Sequence, residues 1–109
     1  MKQQHDQAGR RLWGEFRSWM KDHCFAENLT VVEISASQFQ VKTSHGRKLH
    51  IEFDADRAGS VIYKFEDGAE HQLRLLVTIR AQAYFASDGK RYSAYDLGQK
   101  FLNDLVPDR

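Results

Sequence analysis

The sequence predicts an α+β protein in which a helix at each end of the chain packs on an antiparallel sheet, forming a two-layer sandwich. Apolar residues recur every three or four positions near both ends, alternate with polar residues in between, and are interrupted by short turn sequences. Consecutive strands usually pair, so a meander of about five strands is the simplest topology. A chain of 109 residues with 41% hydrophobic residues suits one core, and we expect residues 1–109 to form a single domain.

Residues 9–24 predict the first helix, because their apolar side chains fall at spacings of three and four while charged residues face the other way. The apolar stripe consists of Leu12, Trp13, Phe16, Trp19, Met20 and His23. We interpret its aromatic side chains as core, with an aromatic ligand-binding site as the alternative. Cys24 is the only cysteine, which excludes an internal disulfide. Neighbouring helical positions point about 100° apart, so we expect a buried structural Cys24 rather than a thiol paired with His23.

The period of the pattern changes to two after "AENLT", which predicts four short strands. Apolar and polar residues alternate in "TVVEISAS", "QFQVKTS", "RKLHIEFD" and "SVIYKFED". Turn sequences separate these runs: residues 35–37, then "SHGR", then "DADRAGS", and finally "EDGAEH", whose Asp67-Gly68 pair is a strong hairpin signal.

Residues 71–85 predict a fifth strand, longer than the common strand of about five or six residues, so we expect a bend or bulge near residues 81–83. One parity of this run is assigned to the core and comprises Leu73, Leu75, Val77, Ile79, Ala81, Ala83 and Phe85. The other parity comprises Arg74, Leu76, Thr78, Arg80, Gln82 and Tyr84. A helix is the competing interpretation, and the alternate polar positions with many β-branched and aromatic residues disfavour it.

The segment "SAYDLGQKFLNDLVPDR" follows the turn "SDGK" and predicts the second helix. Ser93 suits the N-cap, with Asp96 in the capping-box position, and Pro107 marks the end of the helix. Gly98 in the helix interior costs about 1 kcal/mol relative to alanine. Either a close approach of the helix to the sheet or simple tolerance explains this glycine.

Two helices on one side of the sheet leave its other face open. The candidate interaction residues on this face are Lys42, His50, Ile62, Lys64, Arg74, Leu76, Thr78, Arg80 and Tyr84. The face carries too many apolar side chains for a surface that contacts only water, and too few for a hydrophobic core. It therefore predicts a small non-catalytic interaction module, of a bacterial or phage accessory type, that binds a protein partner through this face or an edge strand. A second copy of the chain is the commonest such partner, which predicts a homodimer.

Binding of single-stranded nucleic acid, RNA in particular, is the first alternative. The cations of the open face could hold phosphates while Tyr84 and His50 stack on bases. Glu52 and Glu66 on the same face disfavour this function, as does the absence of the ribonucleoprotein aromatic motif. The formal net charge of +1 does not select for nucleic acid either.

A small metal-dependent enzyme is the second alternative. His50, Glu52 and Asp54 would share one face of a strand, about 6 to 7 Å apart in successive pairs. Exposed strands carry such residues routinely, and no His-Glu-x-x-His spacing, glycine-rich phosphate loop or G-x-S-x-G motif is present. We therefore predict no catalytic residue, no metal ion and no cofactor.

The sequence also bears on location. The first residues lack the apolar core of a signal peptide, and no run approaches the roughly 20 apolar residues of a membrane span. A single cysteine suits a reducing compartment. We therefore expect a cytoplasmic protein with no membrane partner.

Overall fold

The computed structural model describes the backbone of residues 2–54, 56, 59–80 and 82–106, and the side chains of these ranges from residue 7 onward. The elements, in chain order, are α1 (Lys2–Ala26), β1 (Thr30–Ser35), β2 (Gln38–Lys42), β3 (Lys48–Asp54), β4 (Ser60–Phe65), β5 (Glu70–Val77), β6 (Ala83–Ser87), β7 (Lys90–Tyr92) and α2 (Ala94–Leu105). The predicted α+β sandwich, with a helix at each end of an antiparallel sheet, is confirmed.

Helix α1 extends the predicted amphipathic segment at both ends. Most of its apolar stripe is buried, Trp19 and His23 are half-buried, and Phe16 and Cys24 are fully inaccessible to solvent. The helix ends in a Schellman motif, because Asn28 adopts a left-handed conformation (φ 60°) and the N–H of Leu29 donates to the carbonyl oxygen of Cys24 at 2.8 Å. This ending turns the chain directly into β1.

Across the described residues the sheet has seven strands in the order β1-β2-β3-β4-β5-β6-β7, each antiparallel to the next. The four turns predicted between the first five strands lie in the gaps between β1 and β5. The predicted count of about five strands is too low by two, because the chain reverses once within residues 71–85 and once more before α2.

The predicted long fifth strand is two strands, β5 and β6, joined by a tight connection. The N–H of Thr78 donates to the carbonyl oxygen of Gln82 at 2.8 Å, and Val77 pairs with Ala83. A single strand of 15 residues would be about 50 Å long, which exceeds the longest dimension of the molecule, 44 Å. Ile79 lies in the connection and is fully exposed, so its assignment to the core is wrong. Ala81, near the predicted bend, lies outside the described residues.

Strand β7 follows the turn at Asp88 and Gly89, both with positive φ (52° and 79°), as in a type I′ hairpin. Helix α2 then begins as predicted. The hydroxyl of Ser93 accepts a hydrogen bond from the N–H of Asp96 at 3.1 Å, which satisfies one of the free donors of the first turn. Pro107, the predicted end of this helix, lies outside the described residues.

Both helices cover the same face of the sheet. Phe16 of α1 lies between Phe39 of β2 and Phe101 of α2, with ring centroids 6.0 and 5.8 Å apart. The indole N–H of Trp13 donates to the carbonyl oxygen of Ala36 at 3.0 Å and holds α1 on the β1–β2 turn. The aromatic side chains Trp13 and Phe16 are thus core residues, as predicted.

Gly98 of α2 marks a close approach between the two helices rather than between helix and sheet. A Cβ atom built on Gly98 would overlap the ring of Trp19, which stacks on the imidazole of His23 with centroids 3.8 Å apart. The glycine is therefore required by packing. Within the described part of the chain, no helix is both long and apolar enough to cross a membrane.

Candidate functional site

The alternation of each strand determines which side chains face away from the helices. The cross-strand pairs of β2 to β6 place seven of the candidate residues on this open face: Lys42, His50, Ile62, Lys64, Arg74, Leu76 and Tyr84. The other two candidates, Thr78 and Arg80, follow the end of β5 and lie in the connection to β6. The open face is thus the surface built by β2 to β7 opposite α1 and α2.

Ile62 lies near the middle of the open face but offers little surface to a partner. Its cross-strand neighbours are Glu52 and Gln72, and only 8% of the residue is exposed. The amide of Gln38 donates to the carboxylate of Glu52 at 3.1 Å, and the amide of Gln72 donates to the hydroxyl of Ser60 at 2.9 Å. These polar residues form a band across the open face, and the candidate residues on its two sides form two separate groups.

The first group surrounds a surface depression of about 260 Å³, here called the lysine–histidine depression, lined by Gln40, Lys48, His50, Lys64, Phe65 and Glu66. Its cations are partly compensated. Lys64 lies opposite both His50 and Glu70, and the ammonium of Lys48 is 4.0 Å from the carboxylate of Glu66. Exposed pairs of this kind contribute little binding or stability, so the depression is a surface of mixed charge.

The second group surrounds another depression of about 260 Å³, here called the arginine depression, lined by Arg74, Leu76, Ala86, Ser87, Asp88, Gly89, Lys90 and Arg91. Arg74 pairs across the sheet with Ala86, and Ala86 pairs with Arg91. The Cα atoms of the two arginines are therefore two strand spacings apart, about 10 Å. The small side chain of Ala86 leaves the space between them open.

The cations of the arginine depression lack carboxylate partners among the described residues. Neither Arg74, Lys90 nor Arg91 forms an ion pair within that set. The guanidinium of Arg91 is 5.9 Å from the ring centroid of Tyr84, within the range of a cation–π contact. Asp88 is the acidic lining residue, so positive charge predominates.

Apolar side chains border the arginine depression. Leu76 and Tyr84 are cross-strand partners; Leu76 is 38% exposed and Tyr84 is half-buried. The hydroxyl of Tyr84 donates to the amide oxygen of Gln82 at 3.2 Å. Guanidinium groups next to an apolar pair can bind a carboxylate and cover an adjoining apolar group.

The alternation in the sequence predicts Arg74, Leu76 and Tyr84 but gives no sign of Ala86, Lys90 and Arg91. These residues belong to β6 and β7, and β7 was not predicted at all. Its signal was the Asp88-Gly89 pair within "SDGK", which is typical of a two-residue hairpin. Only three residues follow in the strand, too few to reveal an alternation.

The candidate metal ligands His50, Glu52 and Asp54 lie on β3 as expected, but the two carboxylates accept hydrogen bonds from other residues of the chain. Glu52 accepts from Gln38, and the carboxylate of Asp54 accepts from the N–H of Asp56 at 3.0 Å. Among the residues that the structure describes, no three His, Cys, Asp or Glu side chains are grouped to hold a metal ion. Cys24 is buried as predicted, and burial raises the pKa of its thiol to about 12, so it is not an activated nucleophile.

The fold and this surface define a class: a two-layer α+β sandwich whose seven-stranded antiparallel sheet is covered by helices on one face. Comparisons with protein-family models, with curated proteins and with solved structures found no match for the chain.

Proposed function

We propose that this chain is a non-catalytic protein-interaction module that binds an acidic segment of a partner protein at the arginine depression. One observation supports it above the others. Arg74 and Arg91 flank Ala86 without a described carboxylate partner, and the apolar pair Leu76 and Tyr84 lies beside them.

The chemistry of the arginine side chain supports an acidic ligand. A guanidinium presents a planar set of donors that matches the two oxygens of a carboxylate, so it can form two parallel hydrogen bonds. An exposed ion pair alone contributes only about 0.2–1 kcal/mol. Apolar contact with Leu76 and Tyr84 would exclude water from the pair and strengthen it, as in the centre of a protein interface.

Single-stranded RNA is the competing ligand, and the lysine–histidine depression is the observation that favours it. Lys48, His50 and Lys64 line this depression together, and cations next to a flat ring suit phosphate and base. Glu66 lines the same depression and Glu70 pairs with Lys64. Both carboxylates would repel phosphate, so we propose the protein ligand.

Selection from a displayed library of random peptides tests the proposal. Peptides selected on the wild-type protein should be enriched in Asp or Glu next to an apolar residue. Their affinity should fall by about tenfold or more in the Arg74→Glu, Arg91→Glu double variant, which corresponds to about 1.4 kcal/mol. The Arg74→Lys, Arg91→Lys variant should bind with intermediate affinity, because lysine keeps the charge and loses the planar donor geometry.

The control is the Arg10→Glu, Arg11→Glu variant, which makes the same change of net charge on the exposed side of α1. Equal losses in both double variants would show a non-specific charge effect and refute the proposal. An RNA oligonucleotide should be titrated in parallel at low salt. Binding of this oligonucleotide that weakens steeply with salt and depends on Lys64 would establish the RNA function instead.

A further inference from the structure

The two edges of the sheet, β1 and β7, differ in length and chemistry. An edge strand presents unpaired N–H and C=O groups that can pair with another strand, and proteins commonly protect such edges with charge or brevity. Strand β7 is protected in both ways, since it has three residues and carries Lys90 and Arg91. Strand β1 has six residues, with the sequence TVVEIS, and among the described strands it pairs with β2 alone.

Several apolar side chains lie exposed or partly exposed around β1. Phe25, in the last turn of α1, is 84% exposed, and Ile34 is 50% exposed. Val31 and Val32 are half-buried. A depression of about 370 Å³ lies along this edge and is lined by Lys21, Phe25, Leu29, Thr30, Val31 and Glu33. The register of β1 is regular from Thr30 to Glu33, before a shift that precedes Ser35. This regular edge, unpaired within the described residues, with an exposed phenyl ring beside it favours association.

The charge that could protect β1 is neutralised within the chain. Glu33 is the acidic residue of this strand, and its carboxylate lies 2.6 Å from the guanidinium of Arg17 and 2.7 Å from the ammonium of Lys21. A hydrogen bond from Lys21 and the positive charges of Lys21 and Arg17 lower the pKa of Glu33. A second copy of the edge would therefore meet no uncompensated carboxylate.

We propose that β1 pairs with β1 of a second copy of this chain, antiparallel, about a two-fold axis at Val32. The two sheets would then form one continuous sheet. In this register Val32 lies opposite Val32 of the second copy, and Val31 lies opposite Glu33. Residues directly opposite in an antiparallel pair share a face, so both helical layers lie on the same side of the joined sheet.

The proposed register also gives Phe25 a partner. Phe25 lines the same depression as Val31, and Val31 would lie opposite Glu33 of the second copy, which binds Arg17 and Lys21 there. The exposed ring would thus approach two cations, an arrangement that favours a cation–π contact. An isologous interface repeats this contact twice. The exposed ring and the two cations lie on the same edge of the chain. A second copy therefore complements this edge better than an unrelated strand would.

Native mass spectrometry of two charge variants tests the axis. The wild-type chain should give the mass of two chains. Val32→Lys and Val32→Glu should each raise the dimer dissociation constant by about tenfold or more, because two like charges would meet at the axis. An equimolar mixture of the two variants should recover a dimer that contains one chain of each, since the charges are then opposite. Phe25→Ala should weaken the dimer without abolishing it.

The control is Leu76→Lys, which adds the same charge to the open face and should leave the dimer unchanged. Circular dichroism of each variant should match the wild type, because position 32 is on an edge. A wild-type monomer at every concentration would refute the proposal, and so would a dimer that both Val32 variants preserve. Peptide binding at the arginine depression should persist in the Val32→Lys monomer, so this test and that of the proposed function can fail independently.

Discussion

The two faces of the sheet are built from the same strands and differ in almost every other respect. On the covered face, Phe39, Leu49, Ile51 and Val61 are fully buried beneath the helices. On the open face, the intervening positions of β2 and β3 are polar and partly exposed. The covered face therefore accounts for most of the hydrophobic contribution to folding, since that contribution scales with the apolar area buried.

The open face is also poorly arranged for stability. Lys42 lies directly opposite Lys48, and like charges in this position are destabilising. Arg74 and Arg91 have no described ion-pair partner. Neither arrangement contributes to the stability of the fold. The substitutions below test this difference between the faces, from the largest effect to the smallest.

The two faces can be compared directly by truncating one leucine on each face of β5. Leu73 is 1% exposed on the covered face, and Leu76 is 38% exposed on the open face. Leu73→Ala should lower the free energy of unfolding by about 2–5 kcal/mol, since it leaves a cavity. Leu76→Ala should lower it by less than about 1 kcal/mol. Urea unfolding measures both values, and equal losses would contradict the assignment of the faces.

A substitution at Gly98 tests the packing of the helices above the covered face. Alanine is favoured over glycine in a helix by about 1 kcal/mol, but its Cβ would overlap the ring of Trp19. Overpacking typically costs about 1–3 kcal/mol, so we expect Gly98→Ala to give a net loss of stability in thermal unfolding. In a Trp19→Leu background the same substitution should cost less. A stabilising Gly98→Ala in the wild-type background would show that the glycine is merely tolerated.

The covered face was largely predictable from the sequence, because burial on one side imposes the periods that the sequence displays. The stripe of α1, the first four strands and the cap at Ser93 all follow local rules of periodicity and hydrogen bonding. The reversal of the chain between β5 and β6 does not follow from such local rules. Val77 pairs with Ala83 across the connection, so the alternation continues in phase through the turn and gives no sign of it.

The candidate site was predictable only in part, because it depends on which strands become neighbours. Parity alone identified Arg74, Leu76 and Tyr84. Arg91 joins them only because β7 pairs with β6. Likewise the low exposure of Ile62 depends on its cross-strand neighbours Glu52 and Gln72, which the sequence does not specify.

The N-cap of α2 provides a smaller test of what keeps the covered face in place. Ser93→Ala removes the hydroxyl that accepts from the N–H of Asp96 and should cost about 1 kcal/mol. The matched control is Ser18→Ala on the exposed side of α1, where alanine should be neutral or slightly stabilising because of its higher helix propensity. Chemical unfolding of both variants measures the difference. A loss at position 18 equal to that at position 93 would contradict the capping role.

The smallest effect on stability is expected on the open face, where the direction of the change is more informative than its size. Lys42→Glu replaces a like-charged cross-strand pair with Lys48 by an oppositely charged one, so it should raise the free energy of unfolding by about 0.2–1 kcal/mol. Lys42→Gln should give about half of this gain, because it removes the repulsion without adding an attraction. The gain should shrink as salt is raised, since exposed charges are screened over about 10 Å at 0.1 M ionic strength. Destabilisation by Lys42→Glu at low salt would contradict the β2–β3 register on which the open face depends.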